Sequence, residues 1–152
     1  MYLGFSSMNT ADDPAPNVLA RILEEAGFES LWYGEHSHIP VSRRTPYPAG
    51  GELPAPYRKM MDPYISLMAA AAVTSKLKLG TGIALVPQRD PIITSKSVAS
   101  LDQLSGGRFM TNEQWEDLAR VSGAPMIYQA VVPSGGPMQE WRRNQMAWFE
   151  EC

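Results

Sequence analysis

Ser30-Leu31-Trp32-Tyr33-Gly34-Glu35-His36-Ser37-His38 is a run of strand-forming residues that ends in a carboxylate and two imidazoles. Both histidines of the 152-residue chain lie in this stretch, two residues apart. In a parallel α/β barrel, catalytic groups gather at the C-terminal ends of strands, on the face built from the βα loops. Glu35 and His36 occupy that kind of position.

On the N-terminal side, Tyr2 to Ser7 is a short β-prone run. Asp12-Asp13-Pro14 then reads as a helix start, with a capping carboxylate and a proline in the first turn. Val18, Leu19, Ile22, Leu23 and Ala26 form an apolar stripe at helical spacing, and Gly27 suits the position just past the helix end. On the C-terminal side, residues 37–62 break the rhythm with Pro40, Pro46, Pro48, Pro54 and Pro56 and a Gly50-Gly51 pair. No helix or central strand tolerates that proline density. Long loops in compact domains are lids or binding loops more often than idle insertions. Both readings stay open, and the place directly after Glu35 and His36 favours a lid.

Asp62-Pro63 repeats the helix-start device, with an alanine-rich helix running to Lys76. Leu77 to Val86 reads as a third strand interrupted by Gly80 and Gly82, where glycine marks a bulge or a close approach to the backbone. Asp90-Pro91 starts a third helix with an apolar stripe through Ile93, Val98, Leu101 and Leu104, ended by Gly106-Gly107. Three strand–helix units in succession predict an α/β fold of parallel strands joined by right-handed crossovers.

Composition sets the outer bounds. Hydrophobic residues at 44% and charged residues at 19% are those of an ordinary soluble globular protein. Thirteen basic against sixteen acidic residues give a net charge of −3 without any basic run, so no nucleic-acid partner is expected. The longest apolar stretch, near Tyr64 to Val73, is too short to span a bilayer. No export signal opens the chain, and a cytoplasmic location is the expectation. Cys152 is the only cysteine, which excludes a disulfide framework.

Leu31-Trp32-Tyr33-Gly34-Glu35-His36, Leu79-Gly80-Thr81-Gly82-Ile83 and Gln103-Leu104-Ser105-Gly106-Gly107-Arg108-Phe109, in that order and spacing, resemble the luciferase-like monooxygenase family. Ala26 to Ser30 and Val86 to Pro91 fit as well, and the chain looks most like the branch that uses the deazaflavin coenzyme F420, with FMN as the alternative. The resemblance covers residues 1–109. It implies a partial TIM-type (β/α)8 barrel of about three to four parallel βα units, with the coenzyme ring at the C-terminal mouth and a small-molecule substrate. It makes His36 a proton donor, acceptor or hydrogen-bond partner at the ring, a task suited to imidazole. Glu35 would orient groups near the mouth or be structural. Thr81, Gly82 and Ile83 would join His36 in holding the coenzyme, and relatives have a non-prolyl cis peptide at the position of Gly82-Ile83. Hydride transfer or oxygen activation would be the coenzyme's own chemistry.

The likeness stops near residue 110. Thr111 with Gln114 is a capping-box pattern that predicts a helix, residues 126–132 read as a strand, and residues 139–151 as an amphipathic helix. Residues 110–152 therefore form a non-family tail, packed on the half-barrel or partly disordered, with only a faint likeness to a segment of D-aminoacylase-type amidohydrolases. A complete barrel takes about 250 residues. Either two copies associate to close one or the chain is a truncated product, and truncation is the preferred expectation. In that event the chain is an inactive remnant or an interaction module that keeps the family motifs.

Other chemistries have less to stand on. His36 and His38 point the same way along a strand, but zinc normally needs three or four protein ligands, and Glu52 or Asp62 would have to complete the set. No metal is expected. Gly80-Thr81-Gly82 lacks the third glycine and the helix of a dinucleotide fingerprint.

Overall fold

The computed structural model describes residues 3–42, 44 and 46–110. Four strands form one parallel sheet in chain order: β1 (Gly4–Ser7), β2 (Ser30–Tyr33), β3 (Lys78–Thr81) and β4 (Phe109–Met110). Three helices connect them: α1 (Pro16–Glu25), α2 (Pro63–Ala71) and α3 (Pro91–Ser105). The α/β class and the parallel order are as the strand–helix rhythm predicts. The fourth strand does begin, with Leu79 opposite Phe109 and Gly80 opposite Met110, so the family-like pattern runs on past the Gly-Gly-Arg-Phe motif. The capping-box helix at Thr111 and the later strand and helix of the tail lie outside the described residues.

Side chains alternate across a strand. Leu31, Tyr33, Leu79 and Phe109 point to the helices and pack with Ala20, Leu23, Tyr64, Leu67, Ala70 and Leu101 in one buried cluster. Ser30, Trp32 and Gly80 are out of phase with them. Trp32 donates its indole N–H to Ser30 Oγ (2.8 Å), and its six-membered ring lies across Gly80, where a Cβ would come within 2.2 Å of Trp32 Cζ3. Gly80 is the close-approach glycine. The approaching group is the tryptophan one strand over.

Helix ends follow the expected chemistry with local corrections. Asp62 and Asp90 cap α2 and α3, accepting from Ile65 N–H (3.0 Å) and Ile93 N–H (2.8 Å). The Asp12-Asp13-Pro14 start is displaced: α1 begins at Pro16 without a side-chain cap. Asp13 is occupied elsewhere, its Oδ2 accepting from Thr10 N–H (2.9 Å) and Ser7 Oγ (3.1 Å). Gly27 ends α1 with positive φ, and Phe28 N–H bonds back to Leu23 O (2.9 Å) in a Schellman arrangement. The apolar stripes are only half right. Ala20 and Leu23 are the buried residues of α1, whereas Val18 and Ile22 are 48% and 54% exposed. In α3, Leu101 is buried while Ile93 and Leu104 face outward.

Two charged side chains bind the N-terminal end of the sheet. Glu24 Oε1 accepts from the backbone N–H groups of Ser75, Lys76 and Leu77 at 2.8, 2.6 and 2.9 Å. Arg108 donates to the carbonyls of Ala71, Thr74, Leu77 and Ser105 and to Thr74 Oγ1. The last turn of α2 and the segment entering β3 thereby have partners for their otherwise orphaned carbonyls. The amides of Ser75, Lys76 and Leu77 go to Glu24 and not to carbonyls of the preceding turn, and α2 stops at Ala71 without running on to Lys76.

Candidate functional site

Parallel register brings the C-terminal ends of three strands side by side: Ser7 pairs with Tyr33, and Tyr33 with Thr81. Gly34 N–H bonds to Ser7 O (3.3 Å) and Gly82 N–H to Tyr33 O (2.8 Å), so the pairing continues one residue past the strands. Glu35 and His36 follow directly on β2, and Gly82 and Ile83 on β3. All the residues singled out from the sequence are therefore at one end of the sheet.

His36 is half-buried, and its imidazole meets the Tyr57 ring edge-on with centroids 5.0 Å apart. Tyr57 belongs to a short 3₁₀ turn, Ala55–Lys59, within the proline-rich loop. Its hydroxyl lies 3.2 Å from that of Tyr47. Loop 37–62 thus folds back over the end of β2 and covers His36 with an aromatic pair. Its exit is sewn to the exit of β1. Met61 N–H bonds to Asn9 O (2.8 Å), Asn9 Nδ2 to Met61 O (3.0 Å), and Ala11 N–H to Lys59 O (3.1 Å). Asn9 is buried and adopts φ 58°, a left-handed conformation that asparagine tolerates better than most residues. Burial pushes the His36 imidazolium below the ordinary histidine range. The neighbouring Glu35 charge opposes this and His38 adds to it. The ring is neutral at pH 7. Burial, with the Tyr47 hydroxyl, pushes the Tyr57 phenol up to about 12, so it too is uncharged.

Glu35 turns the other way. It is 2% exposed, and its Oε2 accepts from Leu85 N–H (2.7 Å) and its Oε1 from Arg89 Nε (2.6 Å). The same guanidinium reaches Asp62 Oδ2 (2.6 Å) through its NH2 group, which also pairs with Glu35, and stacks 4.7 Å from the centre of the Tyr64 ring. For Asp62, burial raises the carboxyl pKa, but the Arg89 and Ile65 hydrogen bonds outweigh it and the net direction is down. One guanidinium thus bridges both carboxylates. Glu35 is engaged as an anchor, bonded to Leu85 N–H and to Arg89.

The remaining expected residues are placed as follows. Thr81 is half-buried at the end of β3, Gly82 leaves its backbone uncovered, and Ile83 is 44% exposed. The described residues contain no cis peptide bond, so the Gly82–Ile83 link is trans where the resemblance implied cis. Gly82 N–H bonds to Tyr33 O from a trans backbone, and a Cβ there would make only an ordinary contact at 3.8 Å. His38 is exposed and diverges from His36. Ser37 Oγ donates to Gln88 Oε1 (2.8 Å) and, its one proton used, accepts from His38 Nδ1 (2.9 Å). Among the described residues, no three His, Cys, Asp or Glu side chains gather as metal ligands, and no helix is long and apolar enough to cross a membrane.

Sequence reading missed Arg89 and Tyr57. Arg89 stands between a strand exit and a helix cap, and its partner Glu35 lies 54 residues earlier. Only the resemblance, which includes the Val86 to Pro91 exit, offered a hint. Tyr57 was one aromatic residue in a loop with no periodicity to place it.

The model of the luciferase-like monooxygenase family matches residues 8–112. An uncharacterised protein of Mycobacterium tuberculosis is 40% identical over 111 residues, covering 71% of this chain and 39% of that protein. The coenzyme F420 dependent tetrahydromethanopterin reductase from Methanopyrus kandleri superposes with a TM-score of 0.50 at 24% identity, over 98% of this chain and 39% of that one. The oxygenating constituent of 3,6-diketocamphane monooxygenase from Pseudomonas putida, solved in complex with FMN, superposes with a TM-score of 0.55 at 15% identity, over 99% of this chain and 40% of that one. The likeness to these structures is one of fold, that of TIM-barrel luciferase-like enzymes. The chain spans about two fifths of the length of each of these three proteins.

Proposed function

The chain belongs to the luciferase-like monooxygenase family, and from that premise we propose an oxidoreductase that works with a flavin or deazaflavin ring held over the C-terminal ends of β2 and β3. The observation that carries it is the register of Tyr33 with Thr81, which puts His36, Thr81, Gly82 and Ile83 at one mouth. These residues fit a flat, largely apolar ring: a bare glycine backbone, an isoleucine side chain and an uncharged imidazole. F420 is the favoured coenzyme and FMN the alternative. When bound, the ring supplies hydride transfer or oxygen activation.

The protein's own part is orientation and proton handling. His36, neutral and half-buried, accepts or returns a proton at an imidazole nitrogen. Glu35 is a positioning residue, anchored by Leu85 N–H and Arg89 so that the backbone leading into His36 is fixed. Tyr57 and Tyr47 limit water on the loop side of the imidazole. The substrate is a small molecule.

Fluorescence titration of the folded chain with F420 and with FMN tests this directly. Saturable binding of one of them is the expected result. His36→Ala should then lower turnover by about 10²-fold or more, with the coenzyme affinity changed far less. Equal turnover in the variant would remove His36 from the mechanism.

A second reading has one observation in its favour. Ile65 on α2 and Ile92, Ile93 and Leu104 on α3 are large apolar side chains facing outward, as a non-catalytic interaction module or a self-associating chain would need. A folded chain that binds neither coenzyme and dimerises in sedimentation would support that reading over the enzyme.

A further inference from the structure

Loop 37–62 follows Glu35 and His36 at the end of β2 and finishes at Asp62, the residue that caps α2. Both residues end on Arg89. Its Nε reaches Glu35 Oε1 and its NH2 group reaches Asp62 Oδ2, each at 2.6 Å. Arg89 itself is held from three sides. Its ring partner Tyr64 lies in α2, its carboxylate partner Glu35 is 2% exposed, and its own backbone adjoins the Asp90 cap of α3. A planar guanidinium can serve two carboxylates in fixed directions at once. An ammonium on a flexible stem cannot do so with the same geometry.

We propose that Arg89 is the clasp of the mouth, joining the entry and the exit of loop 37–62 so that Tyr57 is held against His36. It is a positioning residue, acting on His36 through the loop and through Glu35. The geometry requires all three members. Glu35 fixes the backbone one residue before His36, Asp62 fixes the loop one residue after Met61, and the bonds of Met61 and Lys59 to Asn9 and Ala11 complete the seam. Glu35 and His38, from its own segment, act on His36 through their charge, and Tyr57 from the loop packs edge-on against its ring. With the clasp open, Tyr57 leaves the ring and water replaces it. This inference rests on the reading of His36 as the proton-handling group, but its first test does not.

Two variants separate the clasp from simple stability. Asp62→Asn keeps an oxygen to cap α2 at Ile65 N–H while removing the charge that Arg89 holds. Arg89→Lys keeps a cation beside Glu35 but cannot span both carboxylates. In the full chain, amide exchange at Tyr57, Met61 and Ala11 should become about ten-fold faster or more in both variants. The amides of Ser75, Lys76 and Leu77, bonded to Glu24 at the other end of the sheet, should keep their wild-type rates. In the same samples, the His36 ring titration followed by NMR should move up towards 6.5 as the imidazole becomes hydrated. Unchanged loop exchange and an unchanged His36 titration in Asp62→Asn would overturn the proposal and leave Arg89 as a stabiliser of α2. If Arg89→Lys fails to fold, Asp62→Asn decides alone. A chain that binds neither F420 nor FMN would defeat the functional reading without altering either outcome here.

Discussion

The two ends of the sheet use charge in opposite ways. At the N-terminal end, Glu24 and Arg108 bind backbone: one carboxylate takes three N–H groups, and one guanidinium takes four carbonyls and a hydroxyl. At the C-terminal end, Glu35, Arg89 and Asp62 bind chiefly one another, and what they hold in place is a loop. The first arrangement completes the hydrogen bonding of a helix end and a strand entry, so its loss should be felt as stability. The second fixes the path of the chain around an imidazole, so its partial loss should be felt locally. In barrels of this kind, the C-terminal face carries chemistry and the opposite face carries stability. The proposed site of this chain lies on the C-terminal face, in keeping with that division.

The largest expected effect tests the stability end. Arg108→Met should cost about 3–4 kcal/mol, because it removes at once the guanidinium hydrogen bonds to four carbonyls and a hydroxyl. Urea unfolding would measure it, and a loss below about 1 kcal/mol would mean that water replaces the guanidinium without difficulty. Next is the middle of the sheet, which belongs to neither end. Gly80→Ala should destabilise by about 1–3 kcal/mol through the collision with Trp32. Trp32→Leu in the same chain should recover part of that loss, and strict additivity of the two changes would refute the contact.

These residues also mark what sequence could and could not reveal. The strand–helix rhythm, the Asp-Pro caps at Asp62 and Asp90, and the glycine after α1 are local signals, each read from a few adjacent residues. The structure bears them out. The apolar stripe of α1 misled because helical periodicity reports only that one face is apolar. Which edge of that face is covered depends on where α2 lies, and so Ala20 is buried while Val18 and Ile22 are not. Gly80 was legible as a close approach, but not the identity of the approaching group, since Trp32 meets it only through parallel register. His36 was found as an imidazole at a strand end. Arg89 was not, because its role comes from two carboxylates distant in sequence.

Smaller effects probe pH at each end. Burial pushes the Glu24 carboxyl up, but its three backbone hydrogen bonds outweigh that, and the folded value lies below the usual 4.5. The unfolded chain therefore binds the proton first as pH falls. The stability that Glu24 contributes is fully present above about 4.5 and is lost as pH drops through the folded value. Glu24→Ala should cost about 1–2 kcal/mol at neutral pH and much less in acid. The difference between the two stability–pH curves would show it, and parallel curves would count against the clamp. His36 gives the smallest effect. Its pKa is below 6.5 in the folded chain, so stability falls slightly as pH drops from 6.5 towards the folded value, where protonation evens out between the two states. His36→Ala should flatten that part of the curve. A curve unchanged by the substitution would place the imidazole in water.

Evolution and engineering meet at the loop that Arg89 holds. The free energy of closing a loop grows only with the logarithm of its length, about 0.6 kcal/mol for each doubling. Once its two feet are pinned to one guanidinium, the stretch between them can be lengthened, shortened or exchanged with little strain on the strands beneath. Two requirements remain, a side chain to fill the space that Leu53 buries and an aromatic ring in the place of Tyr57 against His36. On the proposed reading the loop is an interchangeable cassette, where a new substrate preference is grafted while Arg89, Tyr57 and the strands are left alone.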